Sequence, residues 1–540
     1  MNETTRPPFA RRPASRLCAS LCALALLGTA VPPPAWAQND LPALGDAATE
    51  DFGVGAERRM GDQIMREIRR DPDYLDDPVL LDYLQSLWQP LLVRSRALGH
   101  IGADIDQRFA WEPFLLRDRT VNAFALPGGY FGMYLGLIAI TATRDELASV
   151  LAHEMSHITQ RHIARRFANS KTQSLIGVAA LILGVLAASR ARSADGANAA
   201  IAGSQAAAIQ GQLNFSRDTE READRIGFAV MSSAGFAPGG MAAMFEKLDQ
   251  SSRLNDSGGY PYLRTHPMTT ERIGEARSRM GTAPAVAPVS GLEHSVAQAR
   301  ARVLMDTRID ALRRWQAQDA QLQTGSAPDR LAAACESALA STLLRDWARA
   351  DAALAVAQDL VRGGANGKDP LAARAARDVA LLGAQSLLER GEPLRAATAL
   401  QAYARDEARP VTLMKAQIAL AGVPATTANA TPAPIDPTLQ RSADVLQTWV
   451  ALYPNDSTAW ALLGQTWARL NQPLRSLRAD AESRLALGDV SGAADRLRAG
   501  QRRAREGGAV DFIEASVIDA RLRDVELQRR QIEADERAEK

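Results

Sequence analysis

A chain of 540 residues is long enough for two or more domains, each with its own core. Its net charge of +1 leaves no basic excess to neutralise phosphates, which excludes a general nucleic-acid binder. Hydrophobic residues at 46% and charged ones at 23% are ordinary for globular protein, while 5% aromatics and abundant alanine favour helices over sheets.

Residues 1–37 read as a secretory signal. Arg6, Arg11, Arg12 and Arg16 make a positive start, residues 17–31 an apolar run, and Ala35-Trp36-Ala37 a small-x-small cleavage site. The run is short of the ~20 residues a membrane span needs, so the expectation is an exported, soluble mature protein starting near Gln38. Cys18 and Cys22 leave with the signal, and Cys335 alone can form neither an internal disulfide nor a Cys-based zinc site. Residues 38–56, polar and glycine-containing, read as a flexible leader.

From Glu57 to about Leu98 the pattern is helical, with apolar positions at Met60, Ile64, Ile68, Leu80, Leu84 and Leu87 and breaks at Asp71-Pro72 and Asp77-Pro78. Residues 120–126 then predict a strand, Pro127-Gly128-Gly129 a turn and residues 130–134 a return strand. Such a sheet can offer Asn122, Ala123, Phe124 and Ala125 as an edge to which an extended peptide adds itself. It can equally be a hairpin that only packs under the next helix.

That helix, residues 143–166, carries His153-Glu154-Met155-Ser156-His157, the H-E-x-x-H pattern of zinc metalloproteases. Residues four apart on a helix sit one above the other, so His153 and His157 can grip one metal ion. Glu154, turned about 100° from His153, can reach a water on that ion. Thr143 with Glu146 predicts a capping box. His162, nine residues past His153, falls on the opposite face of a continuous helix and reads as a surface histidine.

Leu175–Ala188 is the most apolar run of the mature chain, flanked by Arg165, Arg166 and Lys171 before it and Arg190 and Arg192 after it. It is too short to span a bilayer; a buried core helix and a segment touching a membrane surface both fit. Residues 193–212 are rich in alanine, glycine and serine. A further helix begins near Phe215, with Ala223, Gly227 and Val230 on its inward stripe. Glu220 shares that face, whereas Glu222 is turned about 200° from it. A zinc enzyme needs a third protein ligand, and Glu220 has the chemistry and the face for it. Asp224, one turn on, can accept the free ring N–H of a zinc histidine. A charged helix start laced with ion pairs is the alternative.

H-E-x-x-H followed by Ser216-Arg217-x-x-Glu220-x-x-Ala223-Asp224 resembles the gluzincin family that includes the CAAX prenyl endopeptidases and HtpX. Residues 122–129 (NAFALPGG), Gly235-Phe236-Ala237-Pro238 and residues 265–273 (THPMTTERI) extend the resemblance over roughly 57–280. The resemblance implies a helical metalloprotease domain with a small β-sheet and one zinc ion per chain. It implies His153, His157 and Glu220 as ligands, Glu154 as general base and Asp224 behind a ligand. In the soluble periplasmic branch of that family a histidine in the position of His266 can cap the zinc and hold the enzyme latent, whereas the residues alone read as a loop histidine before Pro267. The absence of several membrane spans is similar to the soluble periplasmic, BepA-like branch.

Residues 281–291 read as a linker. Beyond them, 292–540 is alanine- and arginine-rich and helical. Trp460-x-x-Leu463-Gly464-x-x-Trp467 follows a tetratricopeptide pattern, and junctions recur at Arg345-Asp346-Trp347, Gly391-Glu392-Pro393, Asn471-Gln472-Pro473 and Gly488-Asp489-Val490. A degenerate repeat array and a plain helical bundle both fit. The fold expected is thus mainly α: a gluzincin domain followed by an α-helical, tetratricopeptide-like domain. The resemblance implies a periplasmic zinc metalloendopeptidase, peripheral to the outer membrane, that acts on misassembled outer-membrane barrel proteins and meets their assembly machinery through the repeats. A chaperone or assembly scaffold with a mostly latent zinc site is the other reading.

Overall fold

The structure, a computed structural model, describes residues 53–168, 216–254, 262–281, 291–321, 325–362, 369–423, 436–506 and 511–538. The expected signal (1–37), nearly all of the leader, Leu175–Ala188, residues 193–212 and linker residues 282–290 lie outside the described residues.

Helix α1 (Val54–Ile68) buries Met60, Ile64, Met65 and Ile68 along one stripe. After the short strand β1 (Tyr74–Leu75), Asp77 caps α2 (Pro78–Ala97) by accepting from Leu80 N at 2.9 Å, with Pro78 in the first helical position. Helix α3 (Ala103–Arg108) leads to β2 (Glu112–Leu116), β3 (Ala123–Leu126) and β4 (Tyr130–Tyr134). The sheet order is β1-β2-β4-β3, antiparallel at both ends and parallel between β2 and β4. The return strand has the predicted limits, the strand expected over 120–126 begins only at Ala123, and β3 is the last strand of the sheet among the described residues.

Strand β4 is buried on both faces, and its period of two divides the core. Phe131 and Met133 join Leu84, Trp88, Leu147 and Leu151 on one side, while Tyr130 and Tyr134 join Met60 and Ile64 on the other. The turn between β3 and β4 requires glycine: Gly129 has φ +86°, and a Cβ there would come within 2.7 Å of the Phe109 side chain.

The helices α4 (Leu135–Ile140), α5 (Arg144–Thr159), α6 (His162–Ala168), α7 (Arg217–Ser233), α8 (Gly239–Leu254), α9 (Tyr262–Thr265) and α10 (Thr270–Arg279) complete the N-terminal half. Next, α11 (Leu292–Leu304) packs on α4 and α2 within the same apolar core. The last carbonyls of α4 and the residue after it have no helical partners. Side chains satisfy them. His294 Nε2 meets Thr141 O at 2.9 Å, Arg302 Nε donates to Ala139 O at 3.1 Å, Lys247 Nζ donates to Ile140 O at 3.0 Å, and Gln298 adds to Thr141 O. These contacts fix the segment that enters α5.

His294 is itself pushed down to about 4: burial is the main cause, Lys247, Arg302 and Arg144 add to it, and the Thr141 carbonyl opposes it. An unfolded imidazole titrates near 6.5, so the unfolded chain takes up the proton first. The stability from this group is present above about pH 6.5 and is lost as pH falls towards 4, by ~3 kcal/mol. Urea unfolding at pH 7.5 and pH 5 should therefore show a loss of stability that shrinks in His294→Gln. An equal loss in that variant would exclude His294 as its source.

The remaining described helices are α12 (Ile309–Gln316), α13 (Ala327–Leu343), α14 (Trp347–Arg362), α15 (Pro370–Glu389), α16 (Pro393–Ala399), α17 (Arg409–Gly422), α18 (Pro437–Leu452), α19 (Ser457–Arg469), α20 (Pro473–Ala486), α21 (Val490–Arg505) and α22 (Phe512–Ala538). Each predicted junction contains a left-handed residue: Arg345 (φ 59°), Gly391 (78°), Asn471 (56°) and Gly488 (81°). Trp460, Leu463 and Trp467 are buried in one cluster, and Gly464 lets α19 approach the backbone of α20. Two acids before α2 tie the halves together. Asp77 pairs with Arg300 at 2.7 Å, and Asp76 with Arg409 at 2.8 Å. Among the described residues no helix is long and apolar enough to cross a membrane.

Candidate metal centre

Helix α5 begins where Thr143 Oγ1 accepts from Glu146 N at 3.2 Å. The second half of the expected capping box is not made, because Glu146 accepts from Ala142 N instead and pairs with Lys247. From Glu146 to Thr159 the helix is buried on every side. His153 and His157 stand one turn apart with Nε2 atoms 3.0 Å from each other.

Helix α7 starts at Ser216, which accepts from Thr219 N, and lays Glu220, Ala223, Asp224 and Gly227 against α5. Gly227 allows this closeness: a Cβ there would sit 3.0 Å from His153 N. Glu220 Oε1 lies 3.3 Å from His157 Nε2, and Glu220 Oε2 lies 3.6 Å from His153 Nε2. Asp224 Oδ1 meets His153 Nδ1 at 2.9 Å. The chain then brings His266 in from the end of α9. Its N–H donates to Tyr262 O, its ring stacks on Tyr262 at 4.6 Å, and its Nδ1 lies 3.0 Å from Glu220 Oε1 and 3.3 Å from His153 Nε2.

His153, His157, Glu220 and His266 thus each present a ligand atom within 4.8 Å of the others, all buried. Around a tetrahedral zinc with bonds of ~2.0–2.1 Å, ligand atoms lie ~3.3 Å apart, and the neighbouring separations here scatter about that value. Imidazole and carboxylate also suit such an ion chemically. Glu154 lies beside this group. Its Oε2 accepts from Ala125 N on the edge strand at 3.0 Å. Its Oε1 is 3.4 Å from His266 Nε2 and accepts no hydrogen bond among the described residues. These residues fit a divalent metal.

Charge balances the site. Burial resists ionisation of Glu220, but the His266 and His153 imidazoles and the bonds to His157 and His266 hold it well below the usual carboxylate range. Burial pushes His157 down to about 4 despite its bond to Glu220, keeping the imidazole neutral as a ligand must be. His266 is raised although buried, because Glu154 and Glu220 face it.

Two features went unread in the sequence. Arg272 on α10 donates to both oxygens of Asp224 at 2.7 and 2.8 Å, lies 2.7 Å from Glu220 Oε2 and donates to Pro267 O. It ties both carboxylates to the loop carrying His266, and its place three residues after the helix cap Thr269 was the available signal. The second is a correction. His162 is not a surface histidine: it is 2% exposed, and its Nδ1 lies 2.8 Å from His157 Nδ1. The helix is not continuous, because Arg161 takes φ 51° between α5 and α6 and turns His162 back inward.

Two histidines one turn apart, a glutamate between them and a carboxylate from a second helix make a candidate metal site of the H-E-x-x-H pattern. Residues 95–280 match the model of peptidase family M48. It is 31% identical over 287 residues to the beta-barrel assembly-enhancing protease of Escherichia coli, covering 53% of this chain and 56% of that one. A Vibrio cholerae protein whose name contains the same words is 37% identical over 270 residues, 49% of this chain and 53% of that one. The mitochondrial metalloendopeptidase OMA1 of Saccharomyces cerevisiae is 33% identical over 168 residues, 30% of this chain and 45% of that one. The match to the two bacterial relatives spans only about half of their length.

Proposed function

We propose that the chain is an exported zinc metalloendopeptidase that hydrolyses misassembled outer-membrane proteins in the periplasm and supports outer-membrane protein assembly. The observation that carries this reading is the convergence of His153, His157 and Glu220 on one point, beside Glu154 and the edge strand β3. The names of the bacterial relatives support the assembly role, and the basic, apolar start of the chain supports export. In this reading 57–280 is the protease domain, 281–291 a linker and 292–540 a tetratricopeptide-like module that meets substrates and assembly machinery.

His153, His157 and Glu220 would hold the zinc. A zinc ion there would supply a Lewis acid that lowers the pKa of water and polarises the scissile carbonyl. Glu154 takes the proton of the attacking water and passes it to the leaving amine. The Ala125 N–H holds one oxygen of Glu154 and aims the other towards the ligand cluster. Strand β3, with Asn122, Ala123, Phe124 and Ala125, presents an edge to an extended substrate. Cleavage of casein by mature protein, abolished by chelation and restored by zinc, tests the activity. Proteins crosslinked to a Glu154→Gln variant in cells test the substrate class; absence of outer-membrane proteins among them would refute it.

The choice of glutamate is open to direct test. Glu220 points into the cluster and Glu222 does not. Glu220→Ala should lose most of its zinc, whereas Glu222→Ala should remain loaded when zinc is in excess. The reverse pattern in metal analysis would overturn the ligand assignment. The position of His266 favours a second reading, a scaffold whose protease is mostly held latent.

A further inference from the structure

We propose that His162 and Glu222 form a positioning relay that fixes the tautomer and aim of His157. The proposal rests on the reading of His157 as a metal ligand. Three contacts run outward from the cluster. His157 Nδ1 lies 2.8 Å from His162 Nδ1, His162 Nε2 lies 3.0 Å from Glu222 Oε2, and the same oxygen accepts from Arg165 Nη2 at 2.9 Å. The two imidazole rings stand nearly perpendicular, at 75°.

Over the described contacts, the protons can be placed in one way compatible with metal binding. Two Nδ1 atoms at hydrogen-bond distance must share one proton, so one donates and the other accepts. A ligand needs its lone pair on the atom facing the cluster, which for His157 is Nε2, 3.0 Å from His153 Nε2 and 3.3 Å from Glu220 Oε1. Its proton therefore sits on Nδ1 and is donated to His162 Nδ1. The proton of His162 then sits on Nε2 and is donated to the Glu222 carboxylate.

The reverse arrangement fails at both ends. His157 would carry a proton aimed into the cluster, and His162 Nε2 would turn a lone pair on the lone pairs of Glu222. Glu222 thus selects, through His162, the tautomer that can bind metal. His153 has a shorter device of the same kind, with Asp224 and Arg272 behind its Nδ1. Metal-bound histidines commonly donate their second N–H in this way, and losing the acceptor typically costs 10–100-fold in metal affinity.

The backbone is bent to make the contact. A continuous helix would carry His162 away from His157, and the left-handed conformation of Arg161 prevents this. For a non-glycine residue that conformation is strained. Arg161 is held there by Glu57, whose Oε2 accepts from its Nε at 2.8 Å. Backbone strain of this kind gathers at sites where it positions a functional group.

The test measures the zinc dissociation constant of the mature protein by competition with a chromophoric chelator. Circular dichroism and thermal unfolding of the metal-free forms control for folding. His162→Ala should bind zinc about 10–100-fold more weakly than wild type. His162→Asn, which can place an oxygen acceptor near the position of Nδ1, should recover part of that loss. Glu222→Ala should weaken binding in the same direction, by about tenfold. Affinities within about twofold of wild type in both alanine variants would overturn the relay, as would an asparagine variant no better than alanine. Should His162→Ala fail to fold, the half-exposed Glu222 decides alone, and unchanged affinity in Glu222→Ala overturns the proposal. Wild-type protein that binds no zinc would instead remove the metal-centre reading, and the relay with it.

Discussion

Glu154→Gln is expected to keep one zinc per chain and to hydrolyse peptides about 100- to 10,000-fold more slowly, the usual range for loss of a general base. The two side chains have the same shape, and the amide oxygen can still accept from Ala125 N, where Glu154 Oε2 now accepts at 3.0 Å. The fold around β3 and α5 should therefore persist. The four candidate ligands do not include Glu154, so metal content should not change. What disappears is the acceptor for the water's proton, because a neutral amide is a far weaker base. Metal analysis and casein cleavage on the same preparation check both halves. Near-normal cleavage would mean that another group accepts the proton, and loss of zinc would mean that Glu154 is part of the metal site.

Much of this arrangement was legible because local signals and tertiary needs agree. The residues of β4 alternate between two cores, so its limits follow from composition and the preceding Pro-Gly-Gly turn. Helical period puts Glu220 and Asp224 on the inward face, the resemblance implies their roles, and Gly227 on the same face lets α7 approach α5 closely. His162 failed for a physical reason. An arginine is an ordinary helical residue, and nothing local marks Arg161 as left-handed; its side chain pairs with Glu57, more than a hundred positions earlier. Arg272 went unread because its partners, Asp224 and Glu220, lie on another helix and meet it only through tertiary packing. The apolar core is likewise shared across residue 291. The linker composition suggests a boundary there, yet α11 supplies His294, Gln298 and Arg302 to the carbonyls that lead into α5.

His266→Ala is expected to raise cleavage at saturating zinc. A catalytic zinc keeps one position open, and a fourth protein ligand in that position blocks catalysis until it leaves. His266 is placed to do this, with Nδ1 close to Glu220 and His153 and Nε2 facing Glu154, so it crowds both the metal position and the base. Pro267 restricts it to extended conformations, while Tyr262 stacks on its ring and donates from its own N–H to Val121 O, beside the edge strand. Release of residues 262–267 would therefore clear the zinc and the approach to β3 in one movement. If the released form is a minor state of roughly 0.1–10%, removing the block should raise the rate about 10- to 1,000-fold. The variant should also hold zinc more weakly, having three ligands, so the assay needs buffered zinc at a level that loads both proteins. It should shorten its own lifetime by self-cleavage, and adding Glu154→Gln should suppress both effects. Activity that only falls, with zinc fully loaded, would show that His266 assists substrate or transition state, and the latency reading would have to be abandoned.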